Sequence, residues 1–216
     1  MTRVATVALL LLAALIAGCD SSPKPSFQLT DLTGAEFGRD FQLTDHNGKP
    51  RTLADFKGKV VVIFFGFTHC PDVCPTTLGE LAIAAKELGN DAGRMQVLFV
   101  TVDPERDTAA VLAKYAPAFN PDFLGLTGDA DAIARTAKEF KVFYQKQPLP
   151  GGGYSVDHSA GTYIYDTAGR LRLFAGYGQG APKMLHDIRL LLQQAGQALK
   201  RSPSQIAGAT ALVSLP

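Results

Sequence analysis

The run Phe64-Phe65-Gly66-Phe67-Thr68-His69-Cys70-Pro71-Asp72-Val73-Cys74-Pro75 places two thiols with three residues between them, each followed by a proline. Paired thiols can clamp a soft metal ion, close into a disulfide or serve as nucleophiles. Pro75 suits the first turn of a helix, where no N–H is needed, so Cys74 falls near the N-cap and Cys70 in the loop before it. Backbone N–H groups at a helix start favour thiolate over thiol, and this predicts a lowered pKa. The fixed φ of Pro71 stiffens the loop. In a continuous helix the i and i+4 Cβ atoms lie about 5–6 Å apart, whereas a disulfide wants about 3.5–4.5 Å. A loop can close that gap, so a disulfide and a two-thiolate metal clamp are both within reach. Two inert structural cysteines are the bland alternative, and the flanking prolines argue against it.

Two thiolates hold Cu(I) well, and a copper site asks for a nitrogen donor as well. There are four histidines. His46 stands in the turn Asp45-His46-Asn47-Gly48 and reads as solvated. His69 adjoins Cys70 but should point away from a site the loop folds around. His186 belongs to a helix face. His158 lies in Asp157-His158-Ser159, just before a strand. Composition alone does not choose among them.

The N-terminal segment bears on which cysteines are available. Arg3 is followed by an apolar run, Val4 to Ala17. The run is too short for a spanning helix, which needs about 20 residues, and suits the apolar region of a secretory signal. It ends Leu15-Ile16-Ala17-Gly18-Cys19, which resembles the lipobox of bacterial lipoproteins. The reading is a signal peptide over 1–18, lipid on Cys19 and anchoring at the periplasmic face of the bacterial inner membrane, with Asp20 as a retention signal. Of 3 cysteines, Cys70 and Cys74 then remain as a pair in an oxidising compartment. The chain has 21 Lys+Arg against 20 Asp+Glu, and loss of Arg3 with the signal leaves the two balanced. That disfavours a nucleic-acid partner.

The elements that must position these residues follow from periodicity. In a chain of 216 residues with 46% apolar content, one domain plus appendages is expected. Residues 19–40 read as anchor and linker, 41–196 as the domain and 197–216 as a loosely packed tail. FQLTD occurs at Phe27 and again at Phe41, as two extended segments or by chance. Val60 to Phe65 and Met95 to Val102 are continuous apolar runs typical of central strands buried on both faces. Leu78, Leu81, Ala82, Ala85 and Leu88 follow helical spacing, and so do Val111, Leu112 and Tyr115 after a candidate N-cap Asp107. Ile133, Ala134, Ala137 and Phe140 do the same after Asp129. Phe123 to Leu126 is a short strand, Val142 to Gln145 is extended, and 148–153 is a Gly/Pro loop. Thr162 to Tyr165 and Leu171 to Phe174 form a hairpin, and Met184 to Leu192 a last helix stopped at Gly196. Strands alternating with helices predict an α/β sheet covered on both faces, with chemistry at the C-terminal end of the first buried strand. Cys70 and Cys74 fall there.

The runs DFKGKVVVIFFGFTHCPDVCPTT, VTVDPERDT and YSVDHSAGTYIYDTAGR resemble the SCO1/SenC family of thioredoxin-fold, copper-binding assembly factors. The resemblance covers about Phe37 to Leu192. It implies a thioredoxin-like α/β fold with a central mixed sheet flanked by helices. It also implies one copper ion, Cu(I) or Cu(II), held by Cys70, Cys74 and His158, with a Cys70–Cys74 disulfide when oxidised. The implied role is delivery of copper to the Cu(A) centre of cytochrome c oxidase subunit II, with reduction of that subunit's cysteines as a further activity. Another periplasmic copper chaperone or a thiol reductant would act beside it. Asp72, Asp157 and Asp103 are supporting candidates: Asp72 for loop charge, Asp157 to orient His158, Asp103 at a strand end near the site. The bland reading makes the first two solvated loop acids and the third a turn former before Pro104. The rival functions are weaker. A thioredoxin-type oxidoreductase uses C-x-x-C rather than the wider spacing here. A peroxiredoxin places a hydroxyl where Pro71 stands. A zinc site needs a fourth protein donor or an open position.

Overall fold

The computed structural model describes residues 26–210, with side chains to residue 197. The signal segment, Cys19 and residues 211–216 lie outside the described residues. Ten strands and four α-helices follow one another: β1 (Thr30–Asp31), β2 (Leu43–Asp45), β3 (Pro50–Arg51), β4 (Val60–Gly66), α1 (Val73–Glu87), β5 (Met95–Thr101), α2 (Ala109–Phe119), β6 (Leu124–Thr127), α3 (Ala130–Glu139), β7 (Tyr144–Pro148), β8 (Tyr154–His158), β9 (Thr162–Tyr165), β10 (Leu171–Ala175) and α4 (Gly180–Thr210). Eight strands form one sheet in the order β1-β10-β9-β4-β5-β6-β2-β3, and β7 and β8 form a separate antiparallel ribbon. β4, β5 and β6 are parallel neighbours, whereas β9 runs antiparallel to β4. The expected mixed sheet flanked by helices is present.

Every residue of β4 and β5 is buried. Their alternating side chains feed two separate cores. Val60, Val62 and Phe64 of β4, with Met95, Val97 and Phe99 of β5, join Leu78 and Leu81 of α1, Leu112 of α2 and Ile188 of α4. Val61, Ile63, Phe65, Leu98 and Val100 point the other way, onto Ile133 and Ala137 of α3 and Phe140. A strand with a covered residue on each face can carry a continuous apolar run, which is why these two were legible.

Three expectations need correcting. The stretch read as linker packs on the core from Phe27 and joins the sheet at β1. Leu29 is buried, β1 pairs with β10, and the N–H groups of Gln28 and Leu29 donate to the buried carboxylate of Asp187 at 2.8–3.0 Å. A two-residue strand held by one side chain leaves no periodic trace. Both FQLTD copies are extended, at opposite sides of the sheet: Leu29 precedes β1, and Leu43 opens β2 next to β6. Gly196 does not stop α4, which continues to Thr210, because that glycine does not adopt the left-handed conformation of a helix cap. Asp107 does not cap α2. Thr108 does, its side chain accepting from the Val111 N–H, and Asp107 turns inward instead.

Replacing Asp187 with Ala strands two amide donors beneath β1. An unmet buried donor costs about 1–3 kcal/mol, so Asp187→Ala should lower unfolding stability by that order. Amide exchange at Leu29 should quicken before that of the β4 and β5 amides, as exchange measured by mass spectrometry or NMR would show.

Candidate metal centre

β4 ends at Gly66, whose carbonyl accepts from the Val102 N–H at 2.8 Å. The chain then turns out of the sheet, with the Cys70 N–H donating to the Phe67 carbonyl at 3.2 Å, and re-enters as α1 at Val73. Cys70 is half-buried in this loop and Cys74, in the first turn of α1, is fully buried. Both are free thiols, and the Cys74 N–H points at the Cys70 Sγ at 3.5 Å. The third arm comes from 84 residues away. His158, the last residue of β8, brings its Nε2 to 3.6 Å from the Cys74 Sγ. The two Sγ atoms and an imidazole nitrogen all lie within 4.8 Å of one another. Three donors bound at about 2.0–2.3 Å around a trigonal metal ion stand about 3.8 Å apart, so the cluster fits one ion with small adjustments.

The tautomer suits that role. The His158 Nδ1 lies 3.0 Å from the Ser159 carbonyl, which can only accept, so Nδ1 carries the proton and the Nε2 lone pair faces the sulfur. Burial pushes the His158 pKa below its ordinary 6.5, against a smaller upward pull from the Ser159 carbonyl and Asp157, and the ring is neutral near pH 7. Phe64 and Phe67 meet it edge-on, with centroids at 6.5 and 5.7 Å.

The electrostatics of Cys74 run opposite to expectation. Burial drives its pKa far above the ordinary thiol value, and a hydrogen bond from the Phe67 N–H only partly offsets this. The helix start does not win because the sulfur is desolvated. The seat is made by a missing side chain. A Cβ placed on Gly66 would lie 2.7 Å from the Cys74 Sγ and 2.8 Å from Phe99 Cε2. Only glycine lets the sulfur settle against the end of β4.

Of the three acids singled out from the sequence, one is structural to the site. Asp72 is exposed and accepts from Thr76 Oγ1 at 3.3 Å, at the start of α1. Asp157 is exposed too, and the Ser159 carbonyl rather than Asp157 orients His158. Asp103 is fully buried. It accepts from Tyr154 Oη at 2.8 Å and from Arg106 Nε. Arg106 donates to the Tyr154 carbonyl at 2.8 Å and stacks its guanidinium 3.8 Å from that ring. Tyr154 opens β8 and His158 closes it, so Asp103 and Arg106 pin the strand that carries the nitrogen donor.

The sequence reading missed Asp107. Its buried carboxylate accepts from the Thr68 N–H at 3.0 Å, from Thr68 Oγ1 at 2.6 Å and from Thr101 Oγ1 at 2.7 Å, and so ties the loop leading to Cys70 to the end of β5. An acid six residues beyond the end of β5 and one before a Thr cap looks like a cap, which is how it escaped notice. The other histidines stay out of the cluster. His69 is exposed, its Nδ1 3.1 Å from Thr68 Oγ1. His186 contacts Asp187 at 2.7 Å. His46 is not the solvated turn residue expected, because its Nδ1 accepts from the Gly125 N–H at 3.0 Å and links β2 to β6.

A family model described as SCO1/SenC matches residues 30–193. The Bos taurus mitochondrial SCO2 homolog is 40% identical over 153 residues, which is 69% of this chain and 58% of the bovine one. The chain thus spans less than two thirds of that relative. The solved structure of Bradyrhizobium japonicum ScoI with copper bound is 40% identical, with a TM-score of 0.67, covering 72% of this chain and 99% of that one. A SCO1/SenC family lipoprotein from Bacillus anthracis is 25% identical, with a TM-score of 0.63, covering 77% and 99%.

The glycine seat generates a test. Gly66→Ala should push the Cys74 sulfur from its place, weaken capture of a thiophilic ion several-fold and cost about 1–3 kcal/mol through overpacking. Metal titration alongside denaturant unfolding would show both losses in the same variant.

Proposed function

The chain belongs to the SCO1/SenC family, and from that premise we propose that it binds one copper ion through Cys70, Cys74 and His158 and passes it on as cargo during assembly of cytochrome c oxidase. The observation that carries this reading is the convergence of the three donors within 4.8 Å from elements far apart in sequence. The copper-bound ScoI relative supports the choice of ion, and so does the chemistry: two thiolates and an imidazole suit copper, and no fourth donor joins them among the described residues. Cargo binding displaces the thiol protons, while neutral His158 coordinates without losing one. The acceptor in this proposal is the Cu(A) centre of cytochrome c oxidase subunit II. A periplasmic copper chaperone or a thiol reductant supplies copper or electrons upstream.

Anchoring completes the proposal. Among the described residues no helix is long and apolar enough to cross a membrane. The lipobox-like ending at Cys19 supports lipid attachment at the periplasmic face of the bacterial inner membrane, and the Bacillus anthracis relative is a lipoprotein.

Adjacent free thiols also permit a second reading, a thiol–disulfide oxidoreductase. In it a thiolate of the pair attacks a partner disulfide, and the second sulfur resolves the mixed disulfide. The partner leaves with two thiols and the Cys70–Cys74 pair is oxidised. The upward shift of Cys74 and the three-residue spacing weigh against it, because a buried protonated thiol exchanges slowly. A dithiol reductase has no use for an imidazole on its sulfur.

His158→Ala therefore separates the two. The variant should still oxidise to a disulfide and should bind Cu(I) more weakly, while the Cu(II) form loses its nitrogen signature in paramagnetic resonance. Parent protein oxidised before titration should take up no copper until reduced. Unchanged Cu(II) spectra in His158→Ala would hand the function to the oxidoreductase reading. For the anchor, Cys19→Ser should leave an unprocessed or soluble form, and wash-resistant, normally processed membrane protein in that variant would remove lipidation from the account.

A further inference from the structure

At the end of the sheet away from the thiols the chain frames a basic cavity. The turn from Asp166 to Arg170 joins β9 to β10 there, and the Gly58 N–H, just ahead of β4, donates to the Thr167 carbonyl at 2.8 Å. An open cavity of about 620 Å³ lies between this turn, Arg94 at the start of β5 and the stretch of α4 from Leu191 to Ala195. That volume suits a small organic ligand and is several times that of a bare oxyanion.

Among the described residues, three guanidinium groups and one carboxylate line it. The carboxylate, that of Asp166, is buried, and its Oδ1 accepts from the N–H groups of Ala168 and Arg170, both at 3.0 Å. Arg170 and Arg172 share its Oδ2, at 2.8 and 3.3 Å. One carboxylate does not neutralise two guanidinium groups, and Arg94 adds a third. Asp91, outside the lining, pairs with Arg94 at 2.9 Å, but both side chains are about half exposed and such pairs hold weakly. The wall is short of acceptors as well. Gln194 accepts from Arg172 Nη1 at 3.4 Å through Oε1, and its Nε2 is buried with no hydrogen-bond partner among the described residues. Leu191, Ala195 and Ala168 make much of the remaining lining apolar. Guanidinium forks match phosphate oxygens, and a tetrahedral phosphate offers them in more directions than a planar carboxylate does. The occupant this lining suits is therefore a phosphate joined to a larger organic group.

We propose that this cavity is a binding site for a phosphoester anion, filled by the headgroup of an anionic phospholipid. The choice of a lipid rests on the anchoring reading above. Phe27 stands eight residues beyond Cys19, and its ring centroid lies 5.6 Å from the Arg172 guanidinium. Eight residues span at most about 29 Å, so a lipid on Cys19 keeps the cavity within reach of the bilayer surface. β4 begins beside the cavity at Val60 and ends at Gly66, the seat of Cys74, about 20 Å away at the usual rise of a strand. A headgroup seated at the first end leaves the thiols at the second turned away from the bilayer.

Hydrogen exchange of the full chain, read by mass spectrometry over residues 166–172 and 191–195, tests this. In non-ionic detergent, glycerol phosphate should slow exchange there relative to sodium chloride at equal ionic strength. In vesicles, phosphatidylglycerol should slow it relative to phosphatidylcholine. Arg94→Gln/Arg170→Gln removes two exposed side chains. It should unfold at nearly the parent's denaturant concentration and weaken glycerol phosphate binding about tenfold or more. Lys86→Gln/Lys114→Gln, at exposed positions of α1 and α2, should keep the protection. Absence of protection by both phosphoesters overturns the inference, as does protection matched by chloride or lost equally in the lysine variant. Protection by glycerol phosphate alone keeps the phosphoester site and refutes the lipid as its source. A chain that stays with neither kind of vesicle overturns the anchoring reading, and glycerol phosphate then still decides on the cavity.

Discussion

The contact on which the site depends is that of the Cys74 sulfur with the bare backbone of Gly66. It fixes how closely α1 can approach the C-terminal end of β4, and it removes one sulfur from water. Desolvation is unfavourable for the thiolate and is compensated only when something positive replaces the lost solvent. The burial that makes Cys74 a reluctant nucleophile therefore makes it a ligand that waits for a cation. Cys70, half-exposed in the loop, is the sulfur that an incoming ion or partner meets first.

Two buried carboxylates hold the remainder of the frame. Asp107 binds the loop before Cys70 to the end of β5, and Asp103 binds the start of β8 through Tyr154 and Arg106. Both leave the β5–α2 connection, and each faces a different arm of the centre. Carboxylates so deep are costly unless their oxygens are satisfied, and here each has donors on both oxygens. The short VTVDPERDT stretch is thus the joint between the thiol loop and the imidazole strand.

Much of this was legible because the signals were local. β4, β5 and the helices α1 to α3 were read from runs and periods within single segments, and the thiol pair and its prolines are contiguous. What was missed depends on distance. β1 consists of two residues whose register is set by Asp187, 158 residues from Leu29. β8 alternates poorly because it pairs only with β7 and leaves most of its side chains outside the cores. Asp107 and His46 were read by their nearest neighbours in sequence, as a cap and a turn residue, while their partners are Thr68 and Gly125. The pKa of Cys74 was misjudged for the same reason: the helix start is written in the sequence, but the desolvation comes from the whole fold.

The β7–β8 ribbon lies outside the main sheet and turns through three glycines, Gly151 to Gly153, all at positive φ. One donor thus sits on α1, one on the loop before it, and the third on a separate ribbon. Such a cluster distinguishes tightness from lability. In the proposed role, an ion held at equilibrium by all three can still be surrendered one bond at a time, each protein donor leaving as an acceptor's donor moves in. No bare ion need form, so the barrier to hand-over is lower than the binding free energy alone would suggest. If the proposed role holds, a vessel built this way keeps its contents firmly against water and releases them readily to an acceptor.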